Sequence, residues 1–218
     1  ATERAKIGEE RFRREFDCEF LIFDETLINA VKLTELKGVD PVMTMGQTRW
    51  YKDIDPRATY LVALDPSLGT GGDYGAIQVY EMPSMVQVAE WHHNLTPIQA
   101  QVKHMREILK YITERAAEKG GTPQLYYSVE NNTLGEAALI VINDLGEENF
   151  PGLFLSEPMR KGHVRKFRKG FNTTHRTKIS ACSQLKNMIE TKKMEIKSKP
   201  LISELKTFVA HGVGFGAK

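Results

Sequence analysis

Two acidic residues occupy positions from which they could do chemistry together. Asp65 directly follows residues 60–64 (YLVAL), and Glu130 directly follows residues 125–129 (LYYSV). Each apolar run reads as a strand buried on both faces. Strand ends are where α/β folds gather reactive side chains, because neighbouring strands deliver them to one cleft. Two carboxylates held close repel each other unless a cation lies between them, and an all-oxygen ligand set favours Mg²⁺ or Mn²⁺. Such a centre can activate water and stabilise the leaving oxygen in phosphodiester hydrolysis. Asp73 lies across the turn SLGTGGDYG and could return to the same cleft as a further ligand. Gly69, Gly71 and Gly72 would let that turn bend sharply and approach a phosphate closely. An acid after a strand is also an ordinary turn former, and Asp65-Pro66-Ser67 and GGDYG both have turn chemistry.

A second feature is basic. Residues 160–178 hold eight Lys or Arg, together with His163 and His175, and no acid. A formal net charge of +2 says little, so the clustering is the informative part. Lys161, Arg165, Lys166, Arg168, Lys169 and Arg176 stand among Phe167, Phe171 and small polar residues. Phosphate contacts use that mixture, cations for charge and hydroxyls or amides for hydrogen bonds. A solvated basic face would look similar. If the block holds a nucleic-acid backbone, binding should be nearly independent of sequence and fall steeply with salt.

Other function classes recede. The hydrophobic share of 41% and charged share of 27% suit a globular domain. No apolar run approaches the ~20 residues of a membrane span. The opening ATERAKIGEERFRREF has no apolar stretch of a secretory kind. Cys18 and Cys182 read as reduced thiols of a cytoplasmic protein. The histidines show no metal-ligand spacing, and His92-His93 reads as a strand end.

The elements that must position the acids can be read along the chain. Residues 1–58 read as an arm or linker, ending at the Asp55-Pro56 turn. From residue 59 onward the pattern sharpens into one domain. Strands are expected at 60–64, 76–82 and 85–91, the last two around Pro83-Ser84. Thr96, Pro97 and Gln99 read as the capping box of a helix. Its apolar stripe is Ile98, Val102, Met105, Leu109, Ile112 and Ala116. Further along are a strand at 125–129, a helix at 137–145 and a strand at 153–155. A helix with Ile179, Cys182, Leu185 and Ile189 on one side comes next, and a last helix spans 201–208. A three-strand meander, then helix, strand, helix, strand and helix, predicts an α/β fold with a mixed central sheet flanked by helices on both faces.

LDPSLGTGGDYGAIQVYE, VENNTLG and ISACSQLKNMIETKKMEIKSKPLISELKTF resemble, in that order, the nuclease domain of the large terminase subunit of T4-like tailed bacteriophages. FRREFDCEFLIFDETLI is similar to that family's junction between packaging ATPase and nuclease. The resemblance implies an RNase H-like fold, with Asp65 and Glu130 as metal ligands and Asp73 as an auxiliary. It implies endonucleolytic cutting of concatemeric double-stranded viral DNA during packaging, in the cytoplasm of an infected bacterium. The implied partners are the ATPase domain of the same full-length chain, the small terminase subunit and the portal protein. The family's third catalytic Asp comes after the KTF segment in a motif containing DD. FVAHGVGFGAK contains none, so that carboxylate is expected beyond Lys218. No GxxxxGK[ST] occurs, so the ATPase motor is not on this chain. Three other readings stand beside this one. They are a junction resolvase of the same fold, an actin-like or sugar-kinase type nucleotide-binding domain suggested by LDPSLGTGGDYGA, and a DNA-docking module that uses only the basic block.

Overall fold

The structure, a computed structural model, describes residues 26–156, 170–211 and 214–217, with backbone alone at 210, 211 and 214–217. The described chain divides into two compact units. One holds residues 40–177, and the other holds those up to 39 together with those from 178 on.

The larger unit is built on a seven-stranded mixed sheet. Its strands in chain order are β1 (Met43–Met45), β2 (Thr48–Trp50), β3 (Thr59–Asp65), β4 (Gly75–Met82), β5 (Val86–His93), β6 (Gln124–Val129) and β7 (Leu153–Phe154). Their spatial order is β1-β2-β5-β4-β3-β6-β7. The expected meander is present as β3, β4 and β5, each antiparallel to the next. β6 then lies parallel to β3 on its other side, and β7 parallel to β6. β5 ends at His93, as the His92-His93 pair suggested. Residues 43–50, inside the segment read as arm or linker, form an edge hairpin that joins the sheet through Arg49↔Glu90 and Trp50↔Ala89.

Alternation along the central strands decides which face is filled. Tyr60, Val62 and Leu64 of β3 and Leu125, Tyr127 and Val129 of β6 are buried, while Ala63 is exposed. Three helices, α1 (Ala30–Glu35), α2 (Ile98–Glu118) and α3 (Thr133–Leu145), lie in this part of the chain. α2 and α3 both pack into the cluster formed by these buried strand residues. The stripe read from the sequence is the buried stripe of α2: Val102, Met105, Leu109, Ile112 and Ala116 have no exposed surface. Each large apolar side chain buried this way contributes roughly 1.5–3 kcal/mol.

The start of α2 differs from the capping box expected. The helix begins at Ile98 with Pro97 at the cap position, and no side chain caps it. The Thr96 hydroxyl is engaged elsewhere, 2.7 Å from His93 Nδ1. Its carbonyl is also taken, by the Gln101 side chain.

The smaller unit holds α1, most of α4 (His175–Glu190), α5 (Lys199–Thr207) and the antiparallel pair β8 (Phe208–His211) and β9 (Gly214–Ala217). Asn29 caps α1 by accepting from the Val31 and Lys32 amides. Ser198 caps α5 by accepting from the Leu201 amide. The core gathers Leu27, Ile28, Leu33, Cys182, Ile189, Ile196, Ile202 and Leu205. Cys182 and Ile189 lie on the expected face of α4, with Leu185 packed against them. No helix among the described residues is long and apolar enough to cross a membrane.

Candidate metal centre

β3 and β6 are hydrogen-bonded neighbours running in the same direction, and their register sets Leu64 beside Val129. The pairing continues one step further, where the Glu130 amide donates to the Leu64 carbonyl at 2.9 Å. Asp65 and Glu130 therefore stand at matching ends of adjacent strands, which run roughly 4.8 Å apart in a sheet. Successive side chains alternate between faces. With Leu64 and Val129 turned into the core, Asp65 and Glu130 share the opposite face. Asp65 is exposed and Glu130 half-buried. The two principal acids named from the sequence are thus brought together.

Glu130 is held by the corner between β6 and α3. Asn132 does two jobs there with one amide. Its Oδ1 accepts from the Leu134 and Gly135 amides at 2.9 and 3.2 Å, capping α3. Its Nδ2 donates to Glu130 Oε2 at 3.2 Å. Helix and carboxylate are thereby oriented by the same side chain. Gly135 lets the helix start this close to the strand, since a Cβ there would lie 1.9 Å from the Glu130 carbonyl oxygen. The ExNxxG pattern is the local sequence of this strand-to-helix corner.

Asp65 opens onto the glycine turn. Ser67, two residues on, is buried, and its backbone is fastened at both polar atoms by Gln101 of α2. The Ser67 amide donates to Gln101 Oε1 at 3.1 Å, and Gln101 Nε2 donates to the Ser67 carbonyl at 2.8 Å. Nε2 also reaches the Thr96 carbonyl at 2.6 Å. Further along, the Gly71 amide donates to the Asn94 carbonyl, and Asn94 Nδ2 donates back to the Gly71 carbonyl. Gly69 and Gly71 adopt positive φ, as the expected bends require, while Gly72 does not. Asp73 lies exposed near the end of the turn. Among the described residues no group of three His, Cys, Asp or Glu side chains could hold a metal ion, so Asp73 is not gathered with the other two into such a set.

The basic block reaches this site through its C-terminal end. Phe171 pairs with Glu130 as a parallel bridge. Its amide donates to the Val129 carbonyl, and its carbonyl accepts from the Asn131 amide at 2.7 Å. Arg176 is exposed on the first turn of α4. Lys161, Arg165, Lys166, Arg168 and Lys169 lie outside the described residues.

The arrangement resembles solved structures, although no protein-family model matches the chain. The large terminase nuclease of thermophilic phage G20c with bound magnesium superposes with a TM-score of 0.61. That match is 14% identical and covers 90% of this chain and 89% of the other. The same nuclease with bound cobalt gives 0.61 at 14% identity, covering 89% of each chain. The large terminase nuclease domain of Thermus phage P74-26 gives 0.54 at 16% identity, covering 81% of this chain and 76% of that one. The fold is that of a phage terminase nuclease domain.

Sequence reading missed Gln101. The signal was available, because Gln101 lies three residues after Ile98 and four before Met105. A polar residue on an otherwise apolar stripe is buried only with its partners found. The dual role of Asn132 was also unread. An Asn directly before a helical run signals a cap, but its bond to Glu130 depends on the corner itself.

Proposed function

We propose that this chain is a divalent-metal-dependent endonuclease domain acting on double-stranded DNA, of the kind that large terminase subunits carry. The observation that carries the reading is the pairing of Asp65 with Glu130 at adjacent strand ends, on a fold shared with nucleases crystallised with magnesium and with cobalt. Two carboxylates on one sheet face, one of them exposed, suit a hard divalent cation whose remaining positions are open to water and phosphate. Bound there, Mg²⁺ or Mn²⁺ would supply Lewis-acid activation of phosphodiester hydrolysis, in a two-metal arrangement.

The chain's own residues would divide the rest of the work. Asp65 and Glu130 hold the cation, and the Asn132 amide keeps one Glu130 oxygen turned to a fixed direction. Asp73, on the loop from Asp65, assists at the edge of the site. Lys161, Arg165, Lys166, Arg168, Lys169 and Arg176 hold the DNA backbone without reading bases. In a complete packaging enzyme the domain would cut concatemeric viral DNA beside the ATPase domain of the same polypeptide, the small terminase subunit and the portal protein.

Plasmid cleavage in Mg²⁺ and in Mn²⁺, with Asp65→Asn and Glu130→Gln in parallel, tests the reading. Nicking and linearisation that need metal and vanish in both variants are expected. Cleavage that survives both substitutions refutes the site. ATP binding without cleavage would instead favour the nucleotide-binding alternative.

A further inference from the structure

Gln101 is a polar side chain with no exposed surface, set in the apolar stripe of α2. Three main-chain groups use its amide: the Ser67 N–H, the Ser67 carbonyl and the Thr96 carbonyl. It also bears on the far end of the turn, where a Cβ on Gly75 would lie 2.6 Å from Gln101 Oε1. One buried amide therefore touches both stems of the loop that begins after Asp65 and carries Asp73. Ser67 is two residues from Asp65, and Gly75 is two residues from Asp73. Packing alone does not require this. A hydrocarbon would fill the same volume without facing two carbonyls and an N–H that would then be buried unpaired.

We infer that Gln101 is the positioning residue of the metal centre, fixing the Asp65 and Asp73 stems of the glycine loop through its bonds to Ser67 and Thr96. The inference rests on the nuclease reading for its functional half, while the loop clamp itself stands on geometry alone. Metal ligands need support of this kind, because outer-shell partners set ligand direction and their loss weakens metal binding by about 10–100-fold.

Gln101→Met keeps the length and removes all three bonds. Gln101→Glu keeps an acceptor for the Ser67 N–H but sets oxygens against the Ser67 and Thr96 carbonyls. Gln87→Met is the control. Gln87 is likewise fully buried and donates to Gln78 Oε1, but it pairs with Tyr80, which pairs with Leu61, toward the opposite end of the sheet from Asp65. Two readouts separate the halves of the inference. Without metal, amide exchange at Ser67 should quicken about ten-fold or more in Gln101→Met, and remain at the parental rate in Gln87→Met, as the loss of a buried bond opens the loop locally. With metal, the Mn²⁺ concentration giving half-maximal cleavage, and Mn²⁺ binding monitored by electron paramagnetic resonance, should shift by about 10–100-fold in both Gln101 variants. The KM for DNA at saturating Mn²⁺ should stay near the parental value. Unchanged Ser67 exchange would overturn the clamp. Quickened exchange with parental Mn²⁺ dependence, or the same shift in Gln87→Met, would overturn the positioning role. Should the parent neither bind Mn²⁺ nor cut while exchange still quickens in Gln101→Met, the nuclease reading fails and the positioning role falls with it, leaving a structural clamp.

Discussion

Gly135→Ala makes the most exacting test of the strand-to-helix corner, because the two effects it combines have opposite signs. In an exposed helix, Ala replaces Gly with a gain of about 0.8–1.0 kcal/mol. Here the new Cβ would sit 1.9 Å from the Glu130 carbonyl oxygen and 2.8 Å from its carbonyl carbon. Ordinary contact begins at 3.4 Å, so the oxygen is about 1.5 Å too close (3.4 less 1.9). The obstacle is backbone, so no rotamer change relieves it. Either the first turn of α3 or the end of β6 has to move. Overpacking of this kind typically costs about 1–3 kcal/mol, which outweighs the propensity gain. For a chain of this size each kcal/mol lowers the thermal midpoint by roughly 2–4 °C. The displaced group carries Glu130, and a misplacement of about 1 Å in a reacting constellation can cost on the order of 100-fold in rate. Thermal denaturation and metal-dependent plasmid cleavage should therefore both decline. A Gly135→Ala protein as stable as the parent, or more stable, would refute the close approach.

Separate parts of the structure lead to three more expected outcomes. Asn132→Ala should lose about 1 kcal/mol of α3 capping together with the bond to Glu130, whereas Asn132→Asp keeps the cap but sets a second negative charge beside Glu130; parental melting with depressed cleavage in the Asp variant is the expected signature. Leu109→Ala, at a position with no exposed surface, should cost about 2–5 kcal/mol in denaturant unfolding, and a loss near zero would place α2 off the sheet. Burial lowers the His104 pKa from 6.5, so the folded state holds the ring neutral and the unfolded state binds the proton first as pH falls. Stability is therefore lost as pH drops below about 6.5; the thermal midpoint measured from about pH 8 to 5.5 should fall more in the parent than in His104→Gln, and parallel curves would refute the assignment.

The parts legible from sequence share one property: their signal is local. β3 and β6 announced themselves as continuous apolar runs, and α2 as a stripe at helical spacing. Asp65 and Glu130 could be picked out because each directly ends such a run. The hairpin of β1 and β2 carried no comparable pattern. Met43 and Met45 are exposed, and the strands are three residues each, so their place is set by pairing with β5 rather than by their own periodicity. Thr96 had the chemistry of a cap, but tertiary contacts claimed both its hydroxyl and its carbonyl. Asp73 shows the limit from the other side. A carboxylate in a glycine turn is correctly placed in the chain, yet where its side chain goes depends on the turn's path, which Gln101 and Asn94 fix from outside.

The two ligand-bearing strand ends are secured by different means, and this bears on how the site could work. Glu130 is fixed by its own downstream sequence. Asn132, Gly135 and the start of α3 all lie within five residues, and Phe171 adds a bridge on the other edge. Asp65 depends on a partner in α2, thirty-six residues away in the chain (101 less 65). Local contacts re-form with each fluctuation of the corner, whereas the Ser67–Gln101 contact holds only while the loop lies against α2. Glu130 is accordingly the rigid half of the pair, and Asp65 with its loop is the half whose position the rest of the domain can adjust. A nuclease coupled to DNA movement needs cutting to be conditional, and the loop between Asp65 and Asp73 is the place where a small change in backbone position would alter metal geometry without unfolding the sheet.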